Sequence, residues 1–320
     1  MLKVSTAPHI YTPTNTSTIM RDVVISLAPA GLVAIALFGL NALITIITAV
    51  IGCVIMEYAA CKYLLKVKSS TKDLSAIVTG LLLAYNLPCN MPIWMTLVGC
   101  FASIIIAKVA FGGIGKNLFN PALIGRVFLF VSFPVQMTTW VKPNLFDFMN
   151  TDASTSATTL GILKHADATF SIPSYLNMFL GYTGGSMGEV SALALLIGLF
   201  YLLYRKVISW HIPVFYVATF FVLTASFAYY TGDASLDPIT HLLSGGLFLG
   251  AFFMATDYTT SPMSKKGKII FAIGCGVLTF VIRRYSAYPE GVSFAILIMN
   301  AFVPLIDKFA KPRKFGSGRK

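Results

Sequence analysis

The sequence predicts an all-α polytopic membrane protein of about ten transmembrane helices, arranged as a five-plus-five inverted repeat with some helices broken. Three observations predict it. Of 320 residues, 56% are hydrophobic and 11% charged, with a mean hydropathy of +0.78; soluble domains carry about 25% charged residues. Apolar runs near the roughly 20 residues that a spanning helix needs recur along the whole chain. Basic residues are distributed as membrane topology demands: with the spans below, 20 of the 24 Lys and Arg fall on one side, leaving Lys142, Lys164, Arg283 and Arg284 on the other.

The runs lie near residues 23–40, 42–61, 74–88, 92–110, 119–139, 190–204, 212–230, 241–256, 268–282 and 291–306. They divide the chain into a cytoplasmic N-terminal segment (1–22), a first membrane repeat (23–139), an extracytoplasmic loop (140–187), a second membrane repeat (188–307) and a basic cytoplasmic tail (308–320). The first run follows a polar segment and lacks a small-residue cleavage site, so it reads as an uncleaved anchor. An even span count puts both termini on the basic, cytoplasmic side of a bacterial inner membrane. The net charge of +12 is then a topological excess facing an anionic leaflet. Basic and aromatic residues do not interleave in a soluble domain, and no nucleic-acid partner is expected.

The repeat is visible when the run from Thr79 is set beside the run from Gly245. Thr79-Gly80-Leu81-Leu82-Leu83-Ala84 parallels Gly245-Gly246-Leu247-Phe248-Leu249-Gly250, and each is followed by a helix carrying Gly-Cys, at Gly99-Cys100 and Gly274-Cys275. Inverted repeats place sites near the midplane, where helices are interrupted. Asn117, Asn120 and Pro121 mark one such interruption: proline removes a donor, and asparagine amides are suited either to capping the broken helix or to reading a flat heterocycle.

Soluble-enzyme chemistry finds little support. Cys53, Cys61, Cys89, Cys100 and Cys275 lie in or beside apolar runs with no Cys-x-x-Cys pair. The four histidines are scattered and give no metal spacing. No phosphate-binding or dinucleotide fingerprint occurs. The most distinctive polar stretch is Asp152-Ala153-Ser154-Thr155-Ser156-Ala157-Thr158-Thr159-Leu160, small and hydroxyl-rich, in the long outer loop. It is suited to receiving a covalent modification.

Thr155-Ser156-Ala157-Thr158 resembles the Ser/Thr-Gly/Ser-Ala-Thr signature of covalently flavinylated membrane redox subunits, with Ser156 where glycine is common and Thr159 where proline is frequent. Further elements match the same family in its order. Phe119-Asn120-Pro121-Ala122 with Arg126, Phe128, Leu129 and Pro134 resembles its Phe-Asn-Pro-Ala pattern. Gly184-Gly185-Ser186-Met187-Gly188-Glu189-Val190-Ser191 resembles its Gly-Ser-x-Gly-Glu-x-Ser element. Met254-Ala255-Thr256-Asp257 with Thr260-Ser261-Pro262, and Pro289-Glu290-Gly291-Val292-Ser293-Phe294-Ala295 with Met299-Asn300, resemble two more. The matches run from about residue 79 to residue 307. The family that the chain resembles is the D subunit of Rnf-type electron transport complexes, related to the B subunit of sodium-translocating NADH:quinone oxidoreductases, and the short N-terminal segment favours the Rnf branch.

The resemblance implies a membrane flavoprotein that passes electrons between ferredoxin and NAD while Na⁺ or H⁺ crosses. It implies FMN esterified through its phosphate to Thr158, with Thr155, Ser156, Gly188 and Glu189 around it. It also implies riboflavin held without a covalent bond near Asn117, Asn120 and Arg126. Arg283 and Arg284 break the inside bias and suit the phosphate's charge or the acid Glu290. Asp257, an acid ending a span, is a candidate for cation transfer, and Glu189 is placed to cap the helix that follows it. Expected partners are an iron-sulfur membrane subunit pair, a second FMN-carrying subunit and an extracytoplasmic flavin transferase. The rival reading is a non-redox small-solute channel or secondary transporter of the urea and ammonium type, whose arrangement the repeat shares. A purely architectural subunit is a third.

Overall fold

The computed structural model describes residues 15–66, 73–145, 155–165, 173–232, 236–286 and 288–311. Asp152 and Ser154, the first fourteen residues and the tail beyond Lys311 lie outside these. The described residues are overwhelmingly helical. In chain order they form α1 (Thr16–Ala60), continued by a π-helical turn at Cys61–Leu65, then α2 (Ser75–Tyr85) and α3 (Ile93–Phe101), continued as π-helix over Ala102–Val109. Next come α4 (Pro121–Ser132), α5 (Pro134–Met137), β1 (Trp140–Val141), β2 (Thr155–Ser156), α6 (Thr159–His165) and α7 (Tyr175–Leu180). The remainder is α8 (Ala192–Tyr204), α9 (His211–Thr231), α10 (Pro238–Leu243), α11 (Leu247–Leu249) with a π continuation at Gly250–Met254, α12 (Lys265–Tyr285) and α13 (Val292–Phe309). The apolar runs thus appear as helices, with the run at 241–256 broken between α10 and α11.

Three helical stretches, Thr16–Leu65, His211–Thr231 and Val292–Phe309, are long and apolar enough to cross a membrane, and α2, α3, α4 and α8 are apolar but shorter. The helices expose large apolar side chains outward, among them Leu32, Val131, Ile197, Phe200 and Val222. A molecule in water does not carry so many exposed apolar side chains on its helices, whereas lipid is a fitting solvent for them. The chain is an all-α membrane protein.

The first helix is not straight. Gly39 has φ 64° and ψ −146°, a backbone setting in which only glycine avoids a Cβ clash. Extended at 1.5 Å per residue, the helix would hold Met20 and Glu57 about 55 Å apart. Yet Lys108 Nζ donates to Glu57 Oε2 (2.7 Å) and lines one cavity with Ile19, Met20 and Ser75. The chain therefore folds back at Gly39, and residues 16–38 and 40–60 form antiparallel arms.

That reversal defines two ends. At the basic end, a cavity of about 90 Å³ gathers the start of α1, Ser75 of α2, Lys108 of α3, Asn117, Asn120, the end of α8 and Asp257. Lys268 of α12 donates to Ser209 there (3.2 Å), and Asp307 near the end of α13 accepts from Met263 N (3.2 Å). At the far end, the Leu37 carbonyl beside the reversal accepts from Asn144 N (3.0 Å), and the 181–191 segment dips between helices, with Gly188 N donating to the Tyr85 carbonyl (3.0 Å). Strands β1 and β2 pair antiparallel, Trp140 opposite Ser156, and so tie the segment before Thr158 to the end of α5.

Close backbone approach holds the first half together. A Cβ on Gly80 of α2 would sit 2.8 Å from Val50 Cα and 2.9 Å from the Ala49 carbonyl, so the second arm of α1 and α2 touch backbone to backbone. Gly80→Leu is predicted to destabilise the protein by about 1–3 kcal/mol through overpacking, read as a lowered thermal midpoint in detergent, whereas Gly113→Ala, with open space at its Cβ, carries only the cost of its positive φ.

Candidate functional site

The far end holds the most concentrated buried chemistry. Asn86, just past the end of α2, Arg126 in the middle of α4, Glu189 ahead of α8 and Glu290 ahead of α13 meet at one point. Arg126 Nη1 donates to Asn86 Oδ1 (2.6 Å) and Glu189 Oε1 (2.8 Å), while Nη2 donates to Glu290 Oε2. The Arg126 and Glu189 side chains are 8% and 3% exposed, and Glu290 23%. Asn86 Nδ2 donates back to the Leu82 carbonyl (2.5 Å), fixing its amide. A guanidinium is the one side chain that offers separate donors to three acceptors in a fixed plane. Glu189, expected as a helix cap, is held by this arginine instead. Ser191 caps α8, its Oγ accepting from Ala194 N (3.3 Å).

Thr158 stands immediately beside this cluster. A slot of about 20 Å³ is lined by Thr158, Leu160, Thr183, Gly184, Gly185, Glu189, Gly245 and Glu290. Thr158 begins α6, its Oγ1 accepting from Gly161 N (3.1 Å). Ser156 abuts Gly184, where a Cβ would clash with its Oγ. The resemblance assigned Gly188 to the same surroundings; it instead packs its backbone on Tyr85. Nothing is described of the Thr155 side chain; its backbone pairs with Val141.

A second cavity, about 460 Å³, opens on the other side of Leu160 and is lined by Leu163, Lys164, Phe220, Thr224, His241, Phe280, Arg283 and Arg284. That volume falls within the range of small-molecule sites. Arg283 does not pair with Glu290: its Nη1 donates to the His241 carbonyl (2.6 Å) and Nη2 to the Ser244 carbonyl (3.0 Å), with its guanidinium 4.9 Å from the Phe220 ring centroid. Arg284 stacks over Phe227 at 5.5 Å. Lys164, at the end of α6, donates to the carbonyls of Arg283 (3.4 Å), Ser286 and Tyr288 (2.9 Å). Partial burial of its ammonium lowers its pKa below the ordinary lysine value. It clips the segment that starts at Thr158 onto the end of α12.

Six buried side-chain polar atoms lack a partner among the described residues, and four of them, Ser156 Oγ, Ser186 Oγ, Glu189 Oε2 and Arg283 Nε, lie on the segments around Thr158. Buried polar groups are nearly always satisfied. Of the four, Ser156 abuts Gly184 and Glu189 lines the Thr158 slot, whereas Arg283 lines the larger cavity.

Asn117 and Asn120 belong elsewhere. Asn120 caps α4, its Oδ1 accepting from Ala122 N (3.0 Å) and Leu123 N (3.4 Å), and its Nδ2 donates to the Met254 carbonyl (3.2 Å). Asn300, with its amide oriented to accept from Asn120 N (3.2 Å), closes the group. Asn117 Nδ2 donates to the Phe119 carbonyl (3.2 Å). Both asparagines line the basic-end cavity with Asp257, whose Oδ2 accepts from the Thr259 (2.8 Å) and Thr260 (3.2 Å) hydroxyls. Arg126, grouped with these asparagines in the sequence, is not among the residues lining that cavity. Sequence reasoning missed Asn86 altogether, and it missed the buried Lys108–Glu57 pair, which Ser75 extends through a 2.6 Å contact to Lys108 Nζ.

Removing Arg126 takes the ion-pair partner from the buried Glu189 and the half-buried Glu290. Arg126→Ala is predicted to cost about 3–5 kcal/mol, measured as loss of thermal stability in detergent. Arg126→Lys should recover only part of it, because a single ammonium cannot keep the forked geometry.

The profile of the NQR2, RnfD, RnfE family matches residues 3–316. The chain is 49% identical over 317 residues to the D subunit of the Na(+)-translocating ferredoxin:NAD(+) oxidoreductase complex of Acetobacterium woodii, covering 98% of this chain and 95% of that one. It is 46% identical to the D subunit of the proton-translocating ferredoxin:NAD(+) oxidoreductase complex of Clostridium ljungdahlii, with 99% and 96% covered. Against the D subunit of the ion-translocating oxidoreductase complex of Halorhodospira halophila the identity is 38%, with 100% and 97% covered. By the profile match and by these full-length similarities, the chain belongs to the NQR2, RnfD, RnfE family.

Proposed function

We propose that this chain is the membrane flavoprotein subunit of an ion-translocating electron transport complex, working between ferredoxin and NAD, with FMN esterified to Thr158. The observation that carries the reading is the slot against Thr158, whose wall includes Glu189 with an unpartnered carboxyl oxygen, next to a larger cavity lined by Lys164, Arg283 and Arg284. Such an arrangement favours a phosphate-bearing aromatic group over a bare loop. The full-length relatives named as subunits of ferredoxin:NAD(+) oxidoreductase complexes support the electron-transfer role. Relatives named for sodium and for protons are almost equally similar, at 49% and 46% identity.

A bound flavin supplies the one- and two-electron chemistry. The chain's own residues do the rest. Thr158 tethers, Lys164 fixes the tether's helix to α12, and Arg283 is held rigid by two carbonyls and the Phe220 ring beside the larger cavity. Arg284 adds positive charge to compensate a phosphate. At the basic end, Asn117 and Asn120 are the residues suited to a non-covalent riboflavin, and Asp257 to ion transfer.

Helix directions support ten spans in an inverted repeat. The two arms of α1, then α2, α3 and α4, have counterparts in α8, α9, α11, α12 and α13. Where α2 starts at the basic end with Ser75, α11 starts beside Glu189 at the far end. Where α3 ends at Lys108 on the basic side, α12 begins there at Lys268. With the basic end cytoplasmic, Thr158 faces outward, where an extracytoplasmic flavin transferase reaches it. An iron-sulfur subunit pair and a second FMN-carrying subunit complete the electron path. A channel or transporter shares the repeat but needs no slot against an outer threonine.

The test is in-gel ultraviolet fluorescence of the denatured chain co-expressed with its flavin transferase. Wild type is predicted to fluoresce and Thr158→Ala to be dark. Fluorescence in neither, with a control substrate labelled, would favour the transporter reading.

A further inference from the structure

We infer that the larger cavity beside Leu160 receives the tricyclic ring of the flavin, with Arg283 Nε donating to the ring edge that carries the charge of the reduced flavin. The inference rests on the FMN reading above and adds to it a place for the ring and a residue that sets its potential.

Size divides the two spaces between the two ends of the ligand. The slot against Thr158, about 20 Å³, is too small for three fused rings and takes the ester end alone. The neighbouring cavity, about 460 Å³, falls within the range of small-molecule sites. Leu160 lines both, so a chain leaving the slot reaches the cavity past one side chain. Leu163, Leu236, Phe280 and Pro289 supply apolar contact for the benzenoid part of the ring. Lys164, Arg283 and Arg284 line the same space, and none of its described lining residues is acidic.

Arg283 has a donor to spare. The residue is 7% exposed. Its Nη1 and Nη2 are taken by the His241 and Ser244 carbonyls and its guanidinium lies against the Phe220 ring, so its plane is fixed. Its Nε is buried and has no partner among the described residues. A buried N–H is costly to leave unpaired, and a ligand carbonyl in the cavity that Arg283 lines removes that cost.

The pyrimidine edge of a flavin offers such a carbonyl at C2, beside N1. Two electrons and one proton added to the ring leave one negative charge, held at N1 and the C2 oxygen. Charge near N1 is one lever by which a protein sets a flavin's potential. A fixed guanidinium at that edge, with two more cations in the same wall, stabilises the reduced ring over the oxidised one and raises the potential.

The flavin-loaded, detergent-solubilised full chain tests placement and donor separately, the tethered flavin's signal being the one that wild type carries and Thr158→Ala lacks. In-gel fluorescence of each denatured variant reads attachment alone; a dark wild-type band overturns the FMN reading and this inference with it. For placement, F280W puts an indole in the cavity wall, and an indole in contact with an excited flavin quenches it by electron transfer. The flavin's fluorescence lifetime in the native protein is expected to shorten in F280W while the gel band persists. An unchanged lifetime beside a persisting band overturns the inference and leaves the FMN reading standing. For the donor, R283Q is expected to lose about tenfold in preference for the reduced ring, a fall of about 30 mV in the midpoint potential of a two-electron couple, and R283K, which keeps the charge and loses Nε, to fall less. An unchanged potential in R283Q, with a cooperative thermal transition, gives Arg283 a structural role only and overturns the inference. If neither Arg283 variant folds, the infrared C2 carbonyl band of isotopically labelled flavin in wild type decides the donor: a band lowered against flavin in aprotic solvent is expected, and an unlowered one overturns the inference.

Discussion

One buried guanidinium organises the far half of this molecule. Arg126 gathers the end of α2, the middle of α4 and the approaches to α8 and α13, four pieces of chain that no local propensity would bring together. Helices that meet lipid on their outer faces gain little from hydrophobic attraction to one another, so a polar tie of this kind settles which helix ends share a layer. Its cost is one carboxylate fully buried and a second half-buried, and that cost is offset only while the arginine's fork, the Asn86 amide and the fold around them all hold.

The same tie explains why Thr158 sits where it does. Glu189 and Glu290 line its slot on one side, and Lys164 clips its helix to α12 on the other. Between them a segment of small hydroxyl residues, which has no core of its own, acquires a fixed position. The opposite end is built differently: Asn120, Asn300, Thr260 and the Met254 carbonyl interlock around the break in two helices, and Lys108 sits between Glu57 and Ser75. Two polar layers, one at each end, are joined by an apolar middle.

Much of this was legible in the letters. Apolar runs became helices with boundaries shifted by a few residues, since hydropathy over such lengths leaves little choice. Asn120-Pro121 announced a capped helix start, because proline and a short amide fit the first turn. What the letters hid were meetings between distant positions. Arg126 looked like a neighbour of Asn117 and Asn120, yet its partners are 63 and 164 residues away. Asn86, Glu57 and Lys108 belong to none of the motifs the sequence offers. The break between α10 and α11 was hidden by apolar residues on both sides of Ser244-Gly245-Gly246.

The proposal that matters most is that the segment clipped by Lys164, beside the Arg126 cluster, carries a flavin on Thr158. Mass spectrometry of the proteolytic peptide containing residues 155–164, from protein co-expressed with its flavin transferase, tests it most directly. The account predicts that this peptide gains the mass of FMN less water, with fragmentation locating it on Thr158. An unmodified peptide, or the same mass on Ser156 or Thr159, would contradict it.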